Sequence, residues 1–462
     1  MIPERLQPVL DDVRPLAERF VDAGHAVYLV GGIVRDLVLG RVHPDADLDL
    51  TTDARPDETM ALLAGWADAV WTQGQAFGTI GARKGDTIFE VTTHRAEAYR
   101  EDSRKPHVVY ADDVAEDLSR RDFTVNAMAL RLPDAELVDP YGGVGDLAAA
   151  RLRTPLAPEV SFSDDPLRML RAARFIAGYD LAPDEGLVAA VESMRGRLEI
   201  VSAERVRDEL SKLLVVDDPS AGLWFLADTG LADEFLPELR AMRLEQDPIH
   251  RHKDVLAHTI AVVAKTSPRL VVRLAALLHD VGKPKTRSIG PKGVSFHHHE
   301  VVGARMARDR LRALRFSNEI VDDVQRLVFL HLRFHGYRDD VWSDSAVRRY
   351  ARDAGPLLED LNELTRCDCT TRNERKARML ATRMDALEVR IAELREREEL
   401  GAIRPDIDGN QVMELLGVGP GRVVGEALDM LLEARLDEGP LGEAEAQRRV
   451  VAWWAERQSS AT

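Results

Sequence analysis

Strand-forming patterns are confined to the first third of this 462-residue chain. Short runs rich in β-branched residues, at residues 25–30, 45–51 and 87–93, alternate there with segments of helical spacing. From about Pro166 onward, apolar residues recur at three- and four-residue steps, which is typical of amphipathic helices. The sequence therefore predicts an α/β or α+β unit followed by helical domains.

The chain is acidic, because 62 Lys and Arg residues stand against 79 Asp and Glu residues and give a net charge of −17. Binding of nucleic acid would therefore need a local basic surface, since phosphates respond to the nearby potential. The cysteines are Cys367 and Cys369, which are too close in sequence for a comfortable disulfide and suit a reducing compartment. The N-terminal segment is unlike a signal peptide and no apolar run reaches membrane-spanning length, so we expect a cytoplasmic protein.

Acidic and apolar residues alternate in the segment DADLDLTT at residues 45–52. On a strand, Asp47 and Asp49 would project from one face, where their carboxylates repel each other unless a divalent cation lies between them. Such a pair suits Mg²⁺-dependent phosphoryl transfer. The alternative is a solvated strand edge, and Asp45 shares the same face. Glu90, alone in an apolar strand, is either a third carboxylate or an exposed strand residue.

A diglycine, Gly31-Gly32, ends a predicted strand immediately before a helix. It leaves bare backbone amides where a phosphate can approach, although such a pair is often only a turn. Arg35 follows one helical turn later, and the acidic pair lies on the next predicted strand. This combination is much rarer than either feature alone, and it favours a nucleotide site.

Segments 29–41 (LVGGIVRDLVLGR) and 45–52 closely resemble the tRNA nucleotidyltransferase/poly(A) polymerase family, class II of the polymerase-β-like superfamily. Further segments match in the family's order: EVTTHR at 90–95, RRDFTVNAMAL at 120–130, DPYGGVGDL at 139–147, DDPLRMLRAARF at 164–175 and ERVRDEL at 204–210. The resemblance implies an α+β protein with a mixed-sheet, polymerase-β-like head, followed by all-α neck, HD and tail domains. It places them at residues 1–150, 151–245, 246–372 and 373–462.

Enzymes of this family add C, C and A to the 3′ end of tRNA from CTP and ATP without a nucleic-acid template. The resemblance implies that Asp47 and Asp49 bind the catalytic Mg²⁺ ions, with Glu90 as the third carboxylate. It places further residues at the ribose and triphosphate of the nucleotide: Gly31, Gly32, Arg35, Arg121, Asp122 and Asn126. From residue chemistry alone, Arg121 and Asp122 read more often as a structural ion pair. tRNA, CTP and ATP are the expected partners, and a homo-oligomer is compatible with the sequence.

The family's base-reading motif, E-D-x-x-R, occurs here at residues 164–168 with Asp164 in place of the usual Glu. We expect Asp165 and Arg168 on one face of the neck helix, since they are three residues apart. Their acceptor and donor groups suit the polar edges of C and A. Arg171 and Arg174 continue along this helix and contact either phosphates or the acids nearby.

A poly(A) polymerase shares nearly all these residues and is the main alternative, together with a CC-adding specialist. Bacterial poly(A) polymerases of this class carry a basic signature before the third carboxylate, and residues 82–84 (Ala-Arg-Lys) match it poorly. This favours CCA addition. Two further alternatives are a hydrolase whose N-terminal half only presents RNA and an RNA-binding protein with decayed sites. The intact acidic and histidine motifs speak against both.

Histidines and aspartates occur in the order H…HD…H…H…D between residues 258 and 368, a set that suits transition-metal or Mg²⁺ ions. The region resembles the HD phosphohydrolase superfamily. The resemblance implies core metal ligands at His258, His279, Asp280 and Asp368, with His299 and His331 as candidates for a second metal. The metal's identity stays open. The implied activity is hydrolysis of 2′,3′-cyclic phosphates or 2′-nucleotides by metal-activated water. Other histidines have no assigned role: His250, His252, His297, His298 and His335.

Overall fold

The structure is a computed structural model that describes residues 7–41, 47–98, 107–244, 254–290, 293–336, 342–369, 374–398 and 403–460. It divides into two compact units, Met1–Pro237 and Glu238–Thr462. The α+β fold class is confirmed, because a mixed sheet occupies the first unit and helices dominate the rest. Among the described helices, none combines the length and the apolar character that a membrane span requires.

A seven-stranded mixed sheet forms the first part of unit one, in the order β3-β4-β5-β2-β1-β8-β9. Its strands are β1 (Val27–Val30), β2 (Leu48–Thr52), β3 (Ala69–Trp71), β4 (Thr79–Lys84), β5 (Thr87–Thr93), β8 (Ala129–Arg131) and β9 (Glu136–Val138); β6 (Arg95–Ala98) and β7 (His107–Tyr110) form a separate hairpin. The pair β2 and β5 is parallel, whereas the other neighbours in the sheet are antiparallel. The central strands thereby set β2 beside β5 in fixed register.

Alternation of polar and apolar side chains explains how β2 sits in this sheet. Leu48 and Leu50 are buried, while Asp49 between them is accessible to solvent. Helix α1 (Gln7–Asp22) covers the buried face with Val13, Leu16 and other apolar residues. Short helices complete this part: α2 (Gly32–Leu39), α3 (Pro56–Leu63), α4 (Val114–Ser119) and α5 (Gly143–Ala148).

Five helices follow the sheet in unit one: α6 (Pro158–Asp164), α7 (Leu167–Tyr179), α8 (Glu185–Met194), α9 (Ala203–Leu214) and α10 (Ser220–Asp228). Helix α7 packs against α9 and α10, and its Phe175 ring lies 5.1 Å from that of Phe123. The two-residue strands β10 (Arg151–Leu152) and β11 (Ala182–Pro183) also pair here. They are too short to give a sequence signal of their own.

In its described residues, unit two is helical apart from the strand pair β12 (Arg287–Gly290) with β13 (Gly293–Phe296) and the connecting segments. Its helices are α11 (Pro237–Ala241), α12 (Val255–Lys265), α13 (Leu270–Leu278), α14 (Lys283–Thr286), α15 (His299–Ala313), α16 (Asn318–Leu330), α17 (Asp344–Ala354), α18 (Leu358–Asp368), α19 (Glu374–Arg397), α20 (Gly409–Leu416), α21 (Arg422–Glu438) and α22 (Glu443–Ser460). The hairpin departs from the all-helical expectation. Its glycines and Pro291 break the helical pattern at residues 287–296.

Candidate active sites

The parallel pairing of β2 and β5 brings two predicted acids together. Asp49 is the direct register partner of Glu90, and Asp47 lies exposed just before β2. Loss of hydration raises the pKa of Asp49 to about 6, the charges of Glu90 and Asp47 add to that rise, and Arg121 opposes it. A divalent cation relieves this kind of repulsion, so the acids fit the Mg²⁺ site that the sequence predicts.

Asp49 and Glu90 line a cavity of about 260 Å³ that also has a basic wall. Its cations are Arg95, Arg120 and Arg121, and its remaining lining comes from β1, β2, β4 and β5. Carboxylates facing guanidinium groups suit a ligand that carries both a metal ion and phosphates. Asp49, Glu90 and Arg121, predicted from sequence, therefore line one cavity, and Arg120 and Arg95 are additional members.

Gly31 is required at this site for two reasons. Its φ angle of 78° is a conformation that side chains rarely adopt. A Cβ atom built on it would also lie 3.2 Å from Arg121 Nη1 and 3.5 Å from Asp49 Oδ2. The bare backbone at the start of α2 is therefore packed between an acid and a base of the cavity. Gly32, the first residue of α2, has the Arg35 guanidinium 3.4 Å from its built Cβ.

Asp117 is a residue that the sequence reasoning missed. Its fully buried carboxylate lies 2.7 Å from Arg120 Nη2 and 3.2 Å from Arg121 Nη2, so it forms ion pairs with two of the three arginines that line the cavity. Burial would raise the pKa of Asp117, but the two arginines outweigh it and lower that pKa to about 2. The spacing of three and four residues on α4 was the available sequence signal.

Arg35 is buried and bonded inside the protein. It donates to the carboxylate of Asp36 and, from Nη1, to Asn126 Oδ1 at 2.7 Å. Its guanidinium also lies 4.1 Å from the centre of the Tyr179 ring. Asn126 in turn donates from Nδ2 to Asp122 Oδ1 at 2.9 Å. These contacts fix Arg35 and Asn126 relative to each other, and their binding to a nucleotide stays a prediction.

The same polar network continues into helices α7 and α9. Asp122 accepts hydrogen bonds from the Arg171 guanidinium, which helps to lower the pKa of Asp122 although burial opposes that shift. Arg174 forms an ion pair with Glu209. Of the two alternatives for Arg171 and Arg174, the structure shows contacts with nearby acids. Arg121 and Asp122 do not pair with each other, because Asp117 and Arg171 are their respective partners.

The expectation that Asp165 and Arg168 share one helix face is wrong. Asp165 directly follows the last residue of α6 and has an extended backbone, whereas α7 begins at Leu167. Pro166 explains the break, because a proline disfavours the helical conformation of the residue before it. Asp165 pairs with Arg205 at 2.7 Å, and Asp164 lies in the last turn of α6.

Arg168 is buried and is held by acceptors from two other segments. It donates from Nη1 to Ser161 Oγ at 2.9 Å and from Nη2 to the Arg120 carbonyl. The latter contact joins α7 to the residue that follows α4 and lines the acid-and-base cavity. Arg168 therefore lies next to the cavity's basic wall, which sequence spacing alone did not indicate.

In unit two, the helices gather the predicted core ligands. His258 Nε2 lies 2.9 Å from Asp368 Oδ1 and 3.5 Å from Asp280 Oδ2, and His279 Nε2 lies 3.2 Å from Asp280 Oδ2. The potential ligand atoms of His258, His279 and Asp280 all fall within 4.8 Å of one another. His258 belongs to α12, and His279 and Asp280 directly follow α13, so a single ion could bridge these two segments. Asp368, the last residue of α18, adds its carboxylate beside His258.

A second group shares Asp280 with the first. The ligand atoms of Asp280, His299 and His331 also fall within 4.8 Å of one another. Asp280 can therefore serve both groups, one carboxylate oxygen lying 3.4 Å from His299 Nε2 and the other facing His279. The six predicted residues form one continuous cluster in the described part of unit two.

Three of these histidines are oriented by the same local contact. Nδ1 of His279, His299 and His331 lies 2.6–2.8 Å from the backbone carbonyl three residues earlier. A carbonyl only accepts, so Nδ1 carries a proton in each ring and Nε2 is the atom that faces the cluster. Among the described residues, no hydrogen bond reaches the buried Nε2 atoms of His299 and His331, although Asp280 Oδ1 lies 3.4 Å from that of His299. Nε2 atoms placed in this way fit metal ligation.

The pKa values in this cluster diverge. Burial disfavours the charged form of His279, but Asp280 and Asp368 outweigh it and raise its pKa to about 10. Burial and the neighbouring His279 lower the pKa of His331 to about 3. Lys283 Nζ donates to Asp280 Oδ2 at 2.7 Å, so a cation already lies beside the shared carboxylate. His297 and His298 are exposed, while His250, His252 and the His335 side chain lie outside the described residues.

Three protein-family models match successive parts of the chain. The poly A polymerase head domain matches residues 27–153, the probable RNA- and SrmB-binding site of polymerase A matches 180–242, and the HD domain matches 255–394. The head match covers the acid-and-base cavity, and the HD match covers the histidine cluster. Fold and sites thus define a nucleotidyltransferase head followed in sequence by an HD domain.

The A-adding tRNA nucleotidyltransferase of Deinococcus radiodurans is 34% identical over 443 residues, which cover 93% of this chain and 95% of that relative. The chain therefore belongs to the tRNA nucleotidyltransferase/poly(A) polymerase family. The CCA-adding enzyme of Limosilactobacillus reuteri is 36% identical over 230 residues, or 49% of this chain. That alignment spans 55% of the relative's own length.

Solved structures show the same fold. The Bacillus stearothermophilus CCA-adding enzyme in complex with CTP superimposes with a TM-score of 0.72 over 99% of this chain and 100% of its own, at 23% identity. The Thermotoga maritima CCA-adding enzyme complexed with tRNA gives a TM-score of 0.58 over 98% of this chain and 96% of its own, at 21% identity. At these identities the likeness concerns the fold.

Proposed function

We propose that this enzyme adds C, C and A to the 3′ end of tRNA, using CTP and ATP. The register pairing of Asp49 with Glu90, opposite Arg120 and Arg121 in one cavity, is the observation that carries the proposal. The family membership and the CTP- and tRNA-bound structures of similar fold support it.

Asp47, Asp49 and Glu90 would hold Mg²⁺, which in such sites activates the attacking hydroxyl and neutralises phosphate charge. Arg120 and Arg121, which form ion pairs with Asp117, would bind the oxygens of the triphosphate. The 3′-oxygen of the RNA attacks the α-phosphorus, the bond from that phosphorus to the β-phosphate oxygen breaks, and pyrophosphate leaves. The hydroxyl proton passes to an acid of the site or to water.

Asp165 and Arg168 remain the proposed base-selecting residues, although they act from different segments. The Asp165 carboxylate accepts from Arg205 and from the Leu167 amide, and its remaining lone pairs can accept an exocyclic amine of C or A. Arg168 would donate to the ring or carbonyl acceptors of the base once it leaves Ser161. Selection without a template then depends on rearranging these contacts.

Addition of A alone is the second candidate, because a relative that matches along 95% of its own length is named an A-adding enzyme. A labelled-nucleotide assay separates the candidates. We expect CTP and ATP together to restore a tRNA that lacks its terminal CCA. Incorporation restricted to a tRNA that already ends in CC would show A addition, long A tracts would show a poly(A) polymerase, and C alone would show a CC-adding specialist.

For the HD domain we propose metal-dependent hydrolysis of phosphoesters at RNA ends, such as 2′,3′-cyclic phosphates or 2′-nucleotides. The support is the set of histidines whose Nε2 atoms converge on Asp280. His258, His279, Asp280 and Asp368 would hold one divalent ion, which supplies an activated water, and His299 and His331 would complete a second site with Asp280. Water adds to phosphorus and one phosphorus–oxygen ester bond breaks.

The location of the protein in the cell and its domain limits also remain proposals. We propose a cytoplasmic location, in keeping with the unbonded thiols of Cys367 and Cys369. We also propose domain limits at residues 1–150, 151–245, 246–372 and 373–462, of which the second crosses the boundary between the compact units at Pro237 and Glu238.

A further inference from the structure

We infer that a basic strip on the HD domain, formed by Lys283, Lys285 and Arg287, binds the backbone phosphates of a single-stranded RNA whose terminal phosphoester enters the metal cluster. This inference rests on the proposed phosphohydrolase activity and names its substrate class. The substrate would be a polynucleotide end and not a free mononucleotide.

The first residue of the strip, Lys283, contacts the metal cluster. Lys283 Nζ lies 2.7 Å from Oδ2 of Asp280, the carboxylate that both candidate metal groups share. An ammonium group at that distance is within reach of a phosphate oxygen bound to the same ions. It also lies 5.7 Å from the centre of the Phe296 ring, so the lysine sits between the cluster and the hairpin.

The hairpin carries the strip away from the cluster in a fixed register. Arg287 is the cross-strand partner of Phe296, and the Phe296 carbonyl accepts the hydrogen bond from His299 Nδ1. Directly opposite residues of an antiparallel pair have Cα atoms about 4.5–5.5 Å apart. Arg287 is therefore one strand away from the segment that leads into His299, a candidate metal ligand.

Lys285 and Arg287 are exposed, and no ion pair within 4.0 Å joins either of them to a described acidic residue. Other exposed arginines of this chain, whose net charge is −17, do pair with an acid, as Arg269 does with Glu363. The four residues of β12 are all exposed. Unpaired cations beside a phosphoesterase cluster therefore present a local positive potential on an acidic protein.

Comparing two substrates distinguishes RNA binding by the basic strip from hydrolysis at the metal cluster. One is a short single-stranded RNA ending in a 2′,3′-cyclic phosphate, and the other is the mononucleotide 2′,3′-cyclic AMP. The full-length chain is used, and the test variant is K285Q/R287Q. Both residues are exposed, so the variant is expected to fold, which circular dichroism checks.

We expect kcat/KM for the RNA to fall about tenfold in the variant, and its log–log salt slope to fall by about 1.4, since each phosphate contact to a single strand contributes about 0.7. Hydrolysis of the mononucleotide should change less than about twofold. The matched control is R308Q/R312Q, which removes two charges from α15 at roughly 13 and 20 Å along the helix from His299. This control should leave both substrates unaffected.

Three results would overturn the inference. Equal loss on both substrates would show a general effect on the cluster, and no loss on the RNA would show that the strip does not bind it. Equal loss in the control variant would show that only net charge matters. If the wild-type chain hydrolyses neither substrate, the proposed phosphohydrolase activity itself fails, which is a distinguishable outcome.

Discussion

The two acidic sites of this chain are built in opposite ways. In the nucleotidyltransferase head, Asp47 and Asp49 are exposed, and Asp49 lines a cavity together with arginines. In the HD domain, His279, Asp280 and His331 are almost fully buried, and backbone carbonyls fix the ring orientations of the two histidines. The first arrangement suits a metal that enters with its nucleotide, and the second suits a resident metal ion. The comparison therefore indicates that the two sites differ in whether the metal ion exchanges with each nucleotide or stays bound.

The largest effect should come from separating the two sites by mutation. We expect Asp47→Ala to reduce nucleotide incorporation on the order of a thousandfold, because the site loses a ligand for Mg²⁺. His279→Ala should retain incorporation, since its side chain belongs to the HD cluster. Incorporation of labelled CTP and ATP into tRNA measures both, and comparable loss in the two variants would contradict two independent sites.

Metal retention sharpens the comparison next. We expect the wild-type chain to keep bound metal through gel filtration and Asp280→Asn to lose it, because the shared carboxylate would ligate the ions of both groups. The rate of phosphoester hydrolysis should fall by at least about a hundredfold in this variant. Nucleotide incorporation should persist. Metal content by mass spectrometry is the direct readout, and unchanged content in the variant would contradict the role of Asp280.

A smaller effect is expected at Asp117. Asp117→Asn keeps the side-chain size but removes the charge that holds Arg120 and Arg121, so kcat/KM for nucleotide should fall about tenfold through a higher KM. Hydrolysis at the HD site should be unchanged, which separates a local effect from general unfolding. An unaltered KM would show that Asp117 does not position the cavity's basic wall.

The smallest expected effect concerns base selection. Arg205→Gln removes an exposed ion pair with Asp165, so the free energy of unfolding should change by less than about 1 kcal/mol. The ratio of ATP to CTP incorporation should shift by up to about fivefold if Asp165 reads the base. Competition between the two nucleotides at limiting concentration measures this ratio, and an identical ratio would argue against Asp165 as a selecting residue.

Local periodicity explains which features the sequence could predict. The period of two along residues 45–52 correctly places Leu48 and Leu50 inside and Asp49 outside, and the fold class follows from where strand patterns stop. The register of Asp49 with Glu90 was not predictable, because it depends on pairing between distant segments. The histidines were identified by order and type, whereas the carbonyls that orient their rings became visible only in three dimensions.

Failures of the sequence reasoning also have physical causes. Helical spacing of Asp165 and Arg168 was overridden by Pro166, which separates α6 from α7. Asp117 was missed because an acid followed three and four residues later by arginines is also the pattern of an ordinary ion pair on a helix surface. The sequence does not show that this acid is buried. The basic strip was missed because β12 and β13 have four residues each, which is too short for a clear alternating pattern.

The most direct test of the account compares Asp49→Asn with Asp86→Asn in Mg²⁺-dependent incorporation of labelled nucleotide into tRNA that lacks its terminal CCA. Asp86 is an exposed acid in the turn between β4 and β5, outside the lining of the cavity. We expect the first variant to lose incorporation and the second to match the wild-type rate. Full incorporation by Asp49→Asn would contradict the claim that the paired carboxylates of β2 and β5 bind the catalytic metal.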